Sequence, residues 1–138
     1  MGTLFRYLTS LLFVAVVVQV GFAGYGAFNA IDKAKNGATI SKHTIENGYD
    51  PHGLVGTIVI VLMLLLLIVA AAGRLGGPWI KFAGALVLLG LLQFLFAYLG
   101  TVSAPLGFLH GINALAIYAV AGLVAHRAWV VGVGRAVD

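Results

Sequence analysis

The sequence predicts an all-α membrane protein, an antiparallel bundle of four transmembrane helices with both termini cytoplasmic. Three observations predict it. The chain is 62% hydrophobic and only 9% charged over 138 residues, more apolar surface than a water-soluble domain of this size can bury. Four apolar runs, over 4–30, 52–73, 79–100 and 105–129, each meet the length of about 20 residues that a span requires. The connections over 74–78 and 101–104 are tight turns, which force the last three runs to stand as antiparallel neighbours. All of this fits a single domain over 1–138.

The first run begins beside Arg6, and Gly21, Phe22 and Ala23 follow it as a small-x-small triplet. That pattern also resembles a secretory signal with its cleavage site. The run continues apolar to Phe28, however, which predicts a retained helix. A polar outer loop over 31–51 comes next, long enough to let the first helix cross over or to carry a short amphipathic segment over 41–47. The second run opens with Asp50, Pro51, His52 and Gly53, the third follows Pro78, and the fourth opens with Ser103, Ala104 and Pro105. A proline suits the first turn of a helix, where its missing N–H has no partner to lose.

The charges set the orientation. With the N-terminus cytoplasmic, Arg6, Arg74, Lys81, Arg127 and Arg135 lie inside and only Asp138 opposes them. Lys33, Lys35 and Lys42 lie outside, balanced by Asp32, Glu46 and Asp50. Basic residues gather on the cytoplasmic side, so this is the expected topology in a plasma (inner) membrane. The net charge of +4 is spread singly beside apolar runs, which points to the lipid bilayer as partner and not to nucleic acid. The absence of cysteine excludes disulfides, thiolate zinc sites, iron–sulfur clusters and covalent haem attachment.

His52 and His110 carry the chemistry. Each sits near the outer end of a descending helix, and an ionisable ring inside a span needs a partner. Neutral imidazole binds haem iron from both axial positions without adding charge to an apolar site. The backbone beside such a ligand must be slim. His52 has Gly53 and Gly56 beside it, and His110 has Gly107, Gly111 and Ala114. Gly24 and Phe28 on the first helix are candidates to flank a macrocycle. Other readings of the same residues stay open: glycines that serve close helix contact, a histidine in interfacial water, or a zinc or copper site lacking a third ligand.

The remaining polar residues are assigned simpler roles. His43 is expected as a solvated loop residue and His126 as an inner-interface residue. Gln19, Gln93 and Asn113 are expected to hydrogen-bond across the bundle, and His110 to donate its second ring nitrogen to a backbone carbonyl or amide.

Taken together, Pro51, His52, Gly53, Leu54, Val55 and Gly56, then Leu92 and Gln93, then Leu109, His110, Gly111, Ile112, Asn113 and Ala114 resemble one half of the haem A synthase fold. They are also similar to short bacterial four-helix membrane proteins related to that half. The resemblance covers almost the whole chain. It implies one haem b per chain, held by the histidines of helices two and four, here His52 and His110, toward the extracytoplasmic side. The synthase has eight spans and a glutamate three residues before its second-helix histidine; Tyr49 stands at that position here. The expected role is therefore a small cytochrome b passing electrons, with quinone or a larger respiratory complex as partner and a homodimer as one way to rebuild eight helices. Haem carriage or sensing without turnover is a second expectation, and a cofactor-free structural subunit a third.

Overall fold

A computed structural model describes residues 1–133; Arg135 and Asp138, expected on the inner side, lie outside the described residues. Four long helices account for nearly all of it: α1 (Gly2–Lys35), α2 (Lys42–Ala72), α3 (Gly77–Val102) and α4 (Ala104–Val130). Each is long and apolar enough to cross a membrane. Pro78 and Pro105 both fall in the first turn of their helices, where a missing N–H costs no hydrogen bond. Gly76 has φ of 102°, a left-handed conformation that only glycine adopts freely, and it turns the chain from α2 into α3.

The connection between α1 and α2 differs from the expected outer loop over 31–51. The segment over 42–51 is helical and continuous with the second span. Ser41, not Asp50, caps that helix, its hydroxyl accepting from the Thr44 N–H at 3.1 Å. Pro51 lies inside α2. Its ring removes the one N–H that would have bonded the Asn47 carbonyl. His52 consequently stands about 15 Å along α2, at 1.5 Å per residue, and not one turn from its start. Likewise α1 runs past residue 30 to Lys35, and only 36–41 remain as a connection.

The helices form a ring. α1 packs on α2 and α4, and α3 packs on the same two, while the diagonal pairs make no close backbone contact among the described residues. Packing is most extensive within the α1–α2 and α3–α4 hairpins and sparser between them. In the first hairpin Gly26 lies under the Tyr49 ring and Gly56 under the Gln19 amide, each with room for no Cβ at 2.9 Å. In the second, the Gly100 and Gly107 backbones touch.

Burial is uneven along the bundle. Phe5, Leu12, Met63, Leu66, Leu86 and Val124 are the largest fully enclosed apolar side chains, and all lie toward the end carrying Met1 and Trp129. There Phe5 meets Trp79 edge-on with centroids 5.4 Å apart, Trp129 donates to the Ser10 hydroxyl at 2.8 Å, and Arg127 stacks on Phe82 at 5.5 Å. The other end, where glycines and glutamines replace leucines, is less filled. Leu86→Ala should therefore lower stability by about 2–5 kcal/mol, because its neighbours cannot close the gap; a thermal or denaturant titration in detergent micelles reads this loss.

Candidate functional site

The histidines meet in the less filled half. His52 comes from α2 and His110 from α4, helices on one diagonal of the ring, and their imidazoles lie 6.1 Å apart between centroids at an interplanar angle of 61°. Each ring is held by the partner helix of its own hairpin. His52 Nδ1 donates to the Gln19 backbone carbonyl at 3.0 Å, and His110 Nδ1 donates to the Gln93 carbonyl at 3.1 Å. A carbonyl can only accept, so both rings carry their proton on Nδ1 and a lone pair on Nε2.

The same glutamines close on the lone pairs. The Gln19 amide N–H donates to His52 Nε2 at 3.2 Å, and the Gln93 amide donates to His110 Nε2 at 3.1 Å. The two hairpins thus repeat one unit, a glutamine that grips a histidine with its backbone carbonyl and its side-chain amide. They differ in what holds the glutamine. Gln93 also donates to the His110 carbonyl at 3.1 Å and accepts from Asn113 at 2.6 Å. Asn113 is itself buried and tied to the Leu89 carbonyl at 2.8 Å. Gln19 has no such support, and its Oε1 is buried with no hydrogen-bond partner among the described residues.

A cavity of about 160 Å³ lies against both rings and is lined from all four helices. His52, His110, Gly53, Gly56 and Ala114 line it, joined by Gln19, Gln93, Gly90, Ile60 and Met63. Gly107, Gly111, Gly24 and Phe28 do not. Gly111 follows His110 by one residue, about 100° round the helix, and is exposed; a Cβ there would meet nothing within 4 Å. Gly107 serves the α3–α4 contact, and Phe28 points outward at 72% exposure. Gly24 is partly exposed with open space beside its Cα. The glycine that matters most was not among the candidates. A Cβ on Gly90 would collide with Ile60 and lie 2.8 Å from Met63 Sδ. Its signal in the sequence is its place one turn before Gln93, on the same helical face.

The residues fit two-imidazole ligation of a haem in donor type and tautomer, and their centroid separation of 6.1 Å is of the length such ligation needs. Two metal–imidazole bonds of about 2 Å, with each nitrogen ~1.1 Å from its ring centre, span about 6 Å between centroids. Each Nδ1–H is already committed to a backbone carbonyl, the usual second contact of a ligating histidine. Among the described residues no cluster of three or more His, Cys, Asp or Glu occurs, so these imidazoles have no further side chain of those types to complete a closed metal site. Two things must change on ligation: each glutamine amide must leave its Nε2, and the cavity must widen, since pockets for organic ligands hold roughly 300–1,000 Å³.

Two other histidines stand apart. His43 is exposed in the first turn of α2 and His126 is exposed near the end of α4. Comparison with protein-family models, with curated proteins and with solved structures returns no match for this chain.

Proposed function

We propose that this chain is an integral membrane cytochrome b, an antiparallel four-helix bundle that holds one haem b between His52 and His110. The observation that carries the reading is the pair of imidazoles 6.1 Å apart, each with its Nδ1–H fixed to a glutamine carbonyl and its Nε2 lone pair free of a proton. Both termini are cytoplasmic, with the histidines toward the extracytoplasmic side of the plasma membrane. The grouping of Arg6 and Arg127 at the opposite end supports that orientation, since basic residues favour the cytoplasmic side.

His52 and His110 would hold the haem, which would supply single-electron transfer between its ferric and ferrous states. The chain's residues do the rest. Gln19 and Gln93 orient the rings through their backbone carbonyls, and neutral imidazoles keep the apolar cavity free of added charge. Gly56 and Gly90 keep the backbone slim around it, and Val16, Val59 and Ile117 exclude water below it. Quinone in the bilayer, or a larger redox complex beside this chain, is the proposed electron partner, and two copies would rebuild an eight-helix assembly. A carrier or sensor role uses the same site without turnover.

One observation favours a second reading. Each Nε2 already accepts an amide N–H, so the two Gln–His units could serve as polar clamps in a cofactor-free structural subunit. Haem titration separates the two. The cytochrome reading expects uptake of one haem per chain, with a Soret band, a split reduced α-band and reduction by quinol. Protein that stays colourless in excess haem supports the clamp.

A further inference from the structure

We infer that the two imidazoles are unequal ligands, with His110 permanent and His52 displaceable, so that a small diatomic ligand binds on the His52 side beside the Gln19 amide. This rests on the haem reading and deepens it. The inference follows from what each glutamine keeps when its histidine turns to iron. Gln93 loses one acceptor, His110 Nε2, but its amide still donates to the His110 carbonyl and its Oε1 still accepts from Asn113. Asn113 is anchored in turn by the Leu89 carbonyl. Ligation by His110 therefore strands no polar group.

Gln19 has nothing comparable. Its amide makes one side-chain contact, to His52 Nε2, and its Oε1 is already buried and unpartnered. When His52 ligates, the whole Gln19 carboxamide is left without a partner in an apolar cavity, and an unmade buried hydrogen bond is costly. When His52 leaves the iron, its Nε2 lone pair returns to the Gln19 amide. The exchange is balanced: the iron–His52 bond breaks, the iron–diatomic bond forms, and the imidazole keeps its Nδ1 proton throughout. Gln93 and Asn113 are positioning residues for His110, and Gln19 is a competitor for His52.

The test uses full-length protein loaded with haem, reduced, and titrated with carbon monoxide. Wild type should bind carbon monoxide with a shifted Soret band. His52→Ala should keep its haem as a five-coordinate species that binds carbon monoxide more tightly, whereas His110→Ala should lose its haem. Gln19→Leu, which leaves both ligands in place, should lower carbon monoxide affinity about tenfold, because the released imidazole then lacks its hydrogen bond. Equal haem loss in the two histidine variants, or unchanged affinity in Gln19→Leu, overturns the inference while the Soret band preserves the haem reading. Wild type without any Soret band overturns both.

Discussion

Replacing both His52 and His110 by alanine should abolish haem binding outright while leaving the four-helix fold standing. The reason is one of magnitudes. Among the described residues His52 and His110 are the only imidazoles lining the cavity, and without them the single thioether of Met63 is left, which cannot replace a pair of axial ligands. Their structural contribution is modest by comparison. Each makes hydrogen bonds worth about 0.5–1.5 kcal/mol net, and interhelical hydrogen bonds inside membranes average about 0.6 kcal/mol. The enclosed side chains around Phe5, Leu66, Leu86 and Val124 lie in the other half of the bundle and are untouched. The double variant should thus give an unchanged far-ultraviolet circular dichroism spectrum and a single elution peak in detergent, with the Soret band gone.

Gly90→Leu should produce the same spectral loss by filling the site and not by removing a ligand. A side chain at this position meets Ile60 and Met63 Sδ, the latter at 2.8 Å from a bare Cβ. Both are far ends of flexible side chains that already line the cavity. They can yield only by turning into it, and a volume of about 160 Å³ leaves little to spare. Overpacking of this kind costs about 1–3 kcal/mol, which a bundle of this size survives. The expected result is a folded protein whose haem occupancy falls at least tenfold, read by the pyridine haemochrome assay. Gly111→Leu is the matched control. It adds the same bulk where a Cβ meets nothing, and it should retain full occupancy.

The four helices were legible because apolar length and tight turns leave few alternatives. The start of α2 was not. Asp50 and Pro51 imitate a capped helix start, and the true start depends on Ser41, whose cap bond to Thr44 is local but is not tied to any apolar run. His52 and His110 were legible as a pair from their residue type and depth. The glutamines were visible as buried amides, but not their hold on the histidines. Gln19 and His52 are 33 residues apart and Gln93 and His110 are 17 apart, so nothing in their spacing announces that the two contacts are the same unit. The glycines were legible only in part. Gly53 and Gly56 beside His52 line the cavity, whereas Gly111 beside His110 lies on an exposed side of its helix and Gly90 lies on another helix altogether.

That repeated unit also explains why the site sits between hairpins. Each histidine is fastened inside its own hairpin by a glutamine carbonyl, and the two hairpins, which pack less extensively on each other than within themselves, bring the rings together. Gln19 and Gln93 differ in support, and that difference gives the two halves of the site separate behaviour.

The most direct measurement is pulsed electron paramagnetic resonance of the oxidised, haem-loaded protein with ring-¹⁵N-labelled histidine. The account predicts a low-spin signal coupled to two histidine nitrogens, reduced to at most one in His52→Ala. A low-spin signal that survives with both couplings in that variant, or no haem signal from the wild type, would contradict it.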